Sequence, residues 1–435
     1  MKFSESDNLR KAAHRLIPGG CHTYAKGDDQ FPELAPGFIR RGLGCHVWDV
    51  DGNEFIEYGM GLRAVTLGHA YQPVVDAAAR QMQLGNNYTR PAAIEVTYAE
   101  ELVSVIPCAD MVKFAKDGST VTTAAIKLAR AFTGRELVAL CKDHPFFSYN
   151  DWFIGTTAMR AGIPESAVRN SLGFGYNDMA SITDLFDRYP KQIAAVILEP
   201  ERDQPPSNGF LEKLKVLCKE RGAVLIFDEM ITGFRWAIGG GQQVHGVLPD
   251  LATYGKAIAN GFALSALAGR RDIMELGGIK HDGDRVFLLS TTHGAENHAL
   301  AAAQATLDIY QSEDVIGHLH RQGKRLTREI NEASKAHGIL DFVQVLGHPS
   351  NLIFTTRDPA GEPSQIYRTL MLQELIRNGV IAPSLVVSYS HSDEDIDRTV
   401  QAFEKALKIY KQALDSGAES FVIGPSVKPV YRARN

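Results

Sequence analysis

The middle of the chain alternates short apolar runs of strand length with helical segments, and this alternation most limits the possible folds. The runs lie at 111–115, 137–141, 194–198 and 223–227. Between the last two, segment 210–222 carries its apolar residues on one helical face. Strand, helix, strand is the βαβ unit of a mostly parallel sheet. The sequence therefore predicts an α/β fold with helices on both faces of the sheet, whose ligands bind beyond the carboxyl ends of the strands.

The two ends of the chain have a different pattern of predicted helices and strands from the middle. A helix and then a hairpin at 47–58, turned by Asp51-Gly52, are predicted near the start. After about residue 310, helical patterns at 314–337, 364–378 and 393–415 flank one strand. We expect an N-terminal segment (1–65) that packs with a small C-terminal α/β domain (311–435), and a large domain between them (66–310).

Composition excludes several classes of protein. The 435 residues include 46 Lys plus Arg against 51 Asp plus Glu, a formal net charge of -5, which argues against nucleic-acid binding. An apolar run of the ~20 residues needed to cross a bilayer is not found in the sequence. Five scattered cysteines are typical of a reducing compartment and argue against a metal cluster. We therefore expect a cytoplasmic protein without membrane or nucleic-acid partners.

Two residues near strand ends suggest chemistry. Asp228 directly follows the run at 223–227, where a buried acid needs a cation or hydrogen bonds. Lys256 lies among small residues, and a lysine in a partly dry pocket can attack a carbonyl. Taken singly, Asp228 could equally be a cap or part of a structural ion pair, and most lysines are simply solvated.

Two further segments are weak signals alone. Gly118 and Ser119 open a predicted helix, where N–H groups, a hydroxyl and the positive dipole end suit a phosphate, although serine is also a common N-cap. Phe146 lies in an aromatic segment soon after a strand, where core packing is the plain alternative.

Together these four parts are what pyridoxal phosphate needs. The lysine carries the cofactor as an imine, and the aspartate pairs with the protonated pyridine nitrogen, which keeps the ring an electron sink. An aromatic ring stacks on one pyridine face. Met230, two residues past Asp228, is placed to pack on the other.

The sequence resembles the fold-type I, class III pyridoxal-phosphate aminotransferases, in particular the glutamate-1-semialdehyde 2,1-aminomutase branch. The similarity runs from LIPGG to SHSDEDID, and its most specific stretches are VWDVDGNEFIEYGMG, LGHAYQPVV, AAIKLARAFTGR, AAVILEP, LIFDEMITGFR and PDLATYGKAIANG. The resemblance implies that Lys256 is the imine lysine, Asp228 the pyridine-nitrogen partner, and Gly118 and Ser119 the phosphate loop.

The resemblance also implies roles for three other residues. Phe146 falls where the family usually has a ring-stacking tyrosine, and Gln204 where a polar residue lies near the ring hydroxyl. Thr292 falls where a threonine of the neighbouring subunit reaches the phosphate. A homodimer with shared active sites is therefore expected.

The chain departs from the aminomutase pattern mainly on the substrate side. Lys26 replaces a substrate-carboxylate arginine, and a point-charge ammonium is a poorer bidentate clamp. Segment 379–397 lacks about four residues, including the glutamate expected to face the aminomutase substrate. Two other segments also differ from the aminomutase pattern, KDGSTVT and TTHGAENH. We therefore expect an aminotransferase that uses an amine donor and a polar carbonyl acceptor. The alternatives are the aminomutase itself and a non-catalytic scaffold, which the intact Lys256 and Asp228 disfavour.

Overall fold

The computed structural model describes residues 1–434. Its α-helices, in chain order, are α1 (Ser4–Leu16), α2 (Met60–Arg63), α3 (Gln72–Leu84), α4 (Ala93–Val105), α5 (Gly118–Thr133), α6 (Asp151–Ile154), α7 (Glu165–Arg169), α8 (Met179–Arg188), α9 (Phe210–Arg221), α10 (Gly241–His245), α11 (Arg271–Met274), α12 (Asn297–Ser312), α13 (Val315–Ala336), α14 (Gln365–Arg377) and α15 (Asp393–Ser416).

The strands are β1 (Ile39–Leu43), β2 (His46–Asp49), β3 (Glu54–Glu57), β4 (Met111–Ala115), β5 (Leu137–Cys141), β6 (Ser171–Phe174), β7 (Ile193–Leu198), β8 (Val224–Asp228), β9 (Leu251–Tyr254), β10 (Ser265–Gly269), β11 (Val345–His348), β12 (Asn351–Phe354) and β13 (Val380–Ile381). The helices expected near the two ends of the chain and the hairpin at 47–58 are thus present.

The chain divides into two compact units. One contains 1–71 and 317–432, and the other contains 72–316 with 433–434. The limits expected from the sequence differ from these bounds by several residues. Assigning the second unit as a cofactor-binding domain stays a proposal.

The larger unit is built on a seven-stranded sheet with the order β4-β10-β9-β8-β7-β5-β6. Strands β5 to β9 pair in parallel, whereas β10 runs antiparallel to both of its neighbours. All residues of β7 and β8 are buried, as expected for strands covered on both faces. The α/β fold with a mostly parallel central sheet is therefore confirmed.

The smaller unit carries a four-stranded sheet with the order β1-β2-β3-β13. Strands β2 and β3 form an antiparallel hairpin, and Gly52 at its turn has φ 89°, a conformation that glycine adopts at little cost. Val47 and Phe55, one on each strand, are buried in the core of this unit.

The sequence did not predict β6, β9 or β10 as strands. Strand β10 reads SALAG, whose small residues have little strand propensity, yet all five are buried between β4 and β9. Burial between two partner strands therefore decided its structure. Residues 1–434 contain no helix with the length and apolarity that a membrane span requires.

Candidate cofactor-binding site

Asp228 ends β8 and is almost completely buried. Its Oδ1 accepts two hydrogen bonds, from the backbone N–H of Met230 at 3.0 Å and from Thr253 Oγ1 at 3.1 Å. Thr253 is the register partner of Asp228 on the adjacent strand β9. Together these two bonds hold the carboxylate in one orientation at the end of β8.

The surroundings of Asp228 disfavour its negative charge. Burial raises the pKa of this carboxyl, and the nearby Glu199 carboxylate raises it further, while the Lys256 ammonium acts in the opposite direction. A buried acid in this state gains from a second positive charge. A protonated pyridine nitrogen supplies such a charge.

Lys256 follows β9 after one glycine and starts a short 3-10 turn, Lys256–Ala259. Its φ is 46°, in the left-handed region that non-glycine residues seldom adopt. Strained backbone of this kind is concentrated at functional sites. Lys256 is partly buried, whereas the residues on either side of it, Gly255 and Ala257, are buried.

The start of α5 offers an anion site. Asp117 caps the helix by accepting the Thr120 N–H at 2.9 Å, and the first N–H groups of a helix have no partner within it. Ser119 Oγ accepts the Tyr149 N–H at 3.0 Å, so the hydroxyl proton can be donated to a phosphate oxygen. These groups match the phosphate end of the cofactor.

Met230 packs directly on two glycines of the site. A Cβ on Gly118 would lie 3.1 Å from Met230 Sδ, and one on Gly255 would lie 2.6 Å away. Larger residues at 118 and 255 would displace this thioether. Met230 therefore lies between the start of α5 and the residue before Lys256, and the residue types at these positions fit pyridoxal phosphate.

The other three predicted residues are all exposed. Phe146 is 46% exposed and contacts Phe153 edge to face, with ring centroids 5.7 Å apart. Gln204 is exposed in the loop between β7 and α9. Thr292 is exposed, and its carbonyl accepts a hydrogen bond from Asn87 Nδ2 at 3.0 Å. The roles of Phe146, Gln204 and Thr292 stay predictions.

Comparison with known proteins identifies the family. The class III aminotransferase family model matches residues 24–407. The chain belongs to the class III aminotransferases. Members of this family use pyridoxal 5'-phosphate, so both the suspected family and the expected cofactor are confirmed.

Individual class III relatives cover almost the whole chain. Glutamate-1-semialdehyde 2,1-aminomutase of Thermomicrobium roseum is 34% identical over 433 residues, which is 94% of this chain and 99% of that protein. The pyridoxal-phosphate internal-aldimine structure of the FumI protein from Sphingopyxis sp. MTA144 is 28% identical with a TM-score of 0.87, covering 94% and 97% of the two chains. A transaminase with bound pyridoxal phosphate is 25% identical with a TM-score of 0.85, covering 96% and 99%.

Glu229, the residue after Asp228, has contacts of a different kind. Glu229 accepts the N–H groups of Gly241 at 2.7 Å and Gln242 at 2.9 Å, and the hydroxyl of Thr232 also donates to it. It therefore caps α10. Only these contacts, which come from a distant segment, show that Glu229 is structural.

Sequence reasoning missed a buried cluster beside Asp228. Nδ1 of His144 accepts the Glu199 N–H at 3.0 Å, and Glu199 Oε1 accepts a bond from Arg202 Nη1 at 3.1 Å. Burial lowers the pKa of His144, so this ring is held neutral. The position of His144 soon after β5 was the available signal, but the aromatic residues beside it form the stronger pattern.

Proposed function

We propose that this class III family member is an aminotransferase, which moves an amino group between a small amine donor and a polar carbonyl acceptor. The observation that carries the proposal is the buried carboxylate of Asp228, which Thr253 and the backbone N–H of Met230 hold at the end of β8, beside the strand that leads to Lys256. Met230 also packs on Gly118 at the start of α5, which Ser119 follows.

Each residue has a defined task in this proposal. Bound pyridoxal phosphate supplies an electron sink for the negative charge that develops at the substrate carbon. Asp228 keeps the pyridine nitrogen protonated, because Thr253 and the backbone of Met230 fix the orientation of its carboxylate. Ser119 and the α5 N-terminus hold the phosphate.

Lys256 is the proposed attachment point and base. Its Nζ would hold the cofactor covalently, and the amine, when free, would take the proton from the substrate carbon that bears the nitrogen. Its left-handed backbone directly after β9 supports this role, because strained backbone is concentrated at functional sites.

The second candidate is glutamate-1-semialdehyde 2,1-aminomutase, in which the exchange takes place within one substrate. The name of the 34% identical relative favours this reading. The sequence favours the aminotransferase, because Lys26 replaces the expected arginine and segment 379–397 lacks the expected glutamate. Both candidates use the same cofactor site, so the substrate decides between them.

The cofactor step is tested by the absorption spectrum. We expect the purified protein to be yellow and Lys256→Ala to abolish the visible band of the lysine-bound cofactor. Lys215→Ala, at an exposed position on α9, is the matched control and keeps the band. A colourless wild-type protein that ignores added pyridoxal phosphate contradicts the proposal.

A labelling experiment separates the two candidates. The holoenzyme is incubated with glutamate-1-semialdehyde carrying ¹⁵N, without another amine donor. Label retained in an isomerised amino ketone over many turnovers establishes the aminomutase. An aminotransferase instead loses its visible band with an amine donor and regains it only when a carbonyl acceptor is added.

We also propose a cytoplasmic homodimer with shared active sites. Exposed Thr292 is the residue that the family resemblance assigns to the neighbouring site. Sedimentation of the holoenzyme as a monomer that retains full activity would disprove the shared site. A Thr292→Ala dimer that binds the cofactor more weakly supports it.

A further inference from the structure

A cluster of three metal-binding side chains lies in the smaller unit. Cys45 and His46 stand at the start of β2, and Asp395 lies in the first turn of α15. His46 Nε2 is 2.9 Å from Asp395 Oδ1, and Cys45 Sγ donates to Asp395 Oδ2 at 3.3 Å. One ligand atom from each of the three residues lies within 4.8 Å of the other two.

We propose that Cys45, His46 and Asp395 form a zinc-binding site. Thiolate, imidazole and carboxylate are all zinc ligands, and a thiolate disfavours the hard cations magnesium and calcium. With zinc–ligand bonds of about 2.0–2.3 Å, the ligand atoms of a tetrahedral site stand roughly 3–4 Å apart. The separations in this cluster reach that geometry with small side-chain movements.

A second carboxylate orients the histidine. Glu54 Oε1, on the neighbouring strand β3, lies 2.7 Å from Nδ1 of His46. Metal-binding histidines almost always donate their other ring N–H to a carboxylate, carbonyl or water. In a zinc complex this contact would keep the proton on Nδ1, so that Nε2, which faces Asp395, would bind the ion through its lone pair.

The carboxylate of Asp395 is held in a similar way. Ser392 donates to Oδ2 through its hydroxyl at 2.7 Å and through its backbone N–H at 3.0 Å, because Asp395 belongs to the capping box of α15. These bonds leave Oδ1 as the ligand atom, next to His46. Two of the three ligands are therefore oriented by neighbouring groups.

The charge of the three ligands and the exposure of His46 both fit a divalent ion. When zinc binds, the Sγ proton of Cys45 leaves to solvent, and so does any proton on Nε2 of His46. The thiolate and the Asp395 carboxylate then balance the two positive charges. Cys45 is buried, whereas the His46 side chain is 20% exposed, so an ion and a water as fourth ligand can enter past the ring.

Zinc here would join two distant parts of the chain. Cys45 and Asp395 are 350 positions apart in sequence, and both belong to the same compact unit. Because the ion binds the folded arrangement and not the separated segments, zinc should stabilise this unit. The inference does not depend on the proposed function, because none of its ligands belongs to the cofactor site.

The test is a metal titration of the chelator-treated holoenzyme. We expect one equivalent of Zn²⁺ per chain by calorimetry and elemental analysis, and Co²⁺ to give the sulfur-to-metal charge-transfer absorption of a thiolate complex. Cys45→Ser and His46→Ala should each weaken Zn²⁺ binding by at least a hundredfold. Cys21→Ser, which removes a partly exposed thiol of the same unit, is the control and should bind normally.

Two further measurements make the outcome decisive. Glu54→Gln should weaken Zn²⁺ binding about tenfold without changing the stoichiometry, which a purely structural role of Glu54 would not produce. Thermal unfolding and the visible cofactor band show whether each variant is folded. Folded wild-type holoenzyme that takes up no Zn²⁺, or a Cys45→Ser protein that binds it as tightly as wild type, overturns the proposal.

Discussion

Thr253 donates a hydrogen bond from Oγ1 to Oδ1 of Asp228, at 3.1 Å, across the register pair that joins β9 to β8. The threonine is completely buried, and it lies three residues before Lys256 on the same chain segment. The orientation of the carboxylate and the position of the lysine therefore depend on one pair of strands.

Thr253→Val should weaken cofactor binding about tenfold or more. The substitution keeps the shape but removes a bond to a charged group, which contributes roughly 1.5–3 kcal/mol. The pKa of Asp228 should rise, because a donor to its charged form is lost. Absorption titration with pyridoxal phosphate at several pH values measures both effects. Thr253→Ser restores the donor and should recover the affinity, and equal affinities for all three proteins would contradict the role.

Gly118→Val should weaken cofactor binding far more than Gly52→Val. A side chain at 118 would meet Met230 Sδ at 3.1 Å and crowd the start of α5, and overpacking of this kind costs about 1–3 kcal/mol. Gly52 has φ 89° with open space around it, so valine there strains the hairpin. Its effect should appear in the melting temperature and not in the dissociation constant of pyridoxal phosphate. A reversed order of the two dissociation constants would disprove the assignment of Gly118.

Asp117→Asn should tighten cofactor binding, by about twofold to tenfold. The aspartate caps α5 by accepting the Thr120 N–H, and asparagine caps equally well. The substitution removes a negative charge beside the proposed phosphate site, where it opposes a dianion. Titration at low and high salt checks the electrostatic origin, because the gain should shrink as salt screens the charge. Weaker binding by a folded Asp117→Asn protein would contradict the phosphate site.

The sequence predicted the parts of the fold that local pattern controls. Strand β8 is a continuous apolar run and helix α9 carries its apolar residues on one face, so the pattern of residues is enough to place Asp228 at a strand end. Strand β10 could not be found, because its small residues carry no period and only its buried neighbours make it a strand.

The same distinction applies within the site. The positions of Asp228 and Lys256 follow from chain order, whereas the contacts of Glu199 with His144 and Arg202 join segments that no local pattern connects. Contacts of this type depend on the packed sheet. Sequence could therefore place Asp228 at the end of a strand and Gly118 and Ser119 at the start of a helix, but neither the strand that precedes Lys256 nor the charges around Asp228.

His391 should make the protein less stable as pH falls. The ring is fully buried against Tyr58, and its Nδ1 accepts the Ser388 N–H at 2.9 Å. Burial lowers the pKa of His391 from 6.5 to about 3, although the Asp395 carboxylate acts in the opposite direction. The unfolded chain therefore takes up a proton below about pH 6.5 while the folded chain does not. The contribution of His391 to the free energy of unfolding is fully present above about pH 6.5 and is lost progressively as the pH falls towards 3.

His391→Gln should flatten this dependence, because glutamine keeps an acceptor for Ser388 and does not titrate. Between pH 7 and pH 5 the wild type should lose on the order of 2 kcal/mol through His391, and the variant should lose correspondingly less. Urea unfolding at pH 7, 6 and 5 measures the difference. His22→Gln removes an exposed histidine of the same unit and should keep the wild-type slope. If His391→Gln also keeps that slope, a group other than His391 causes the loss of stability at low pH.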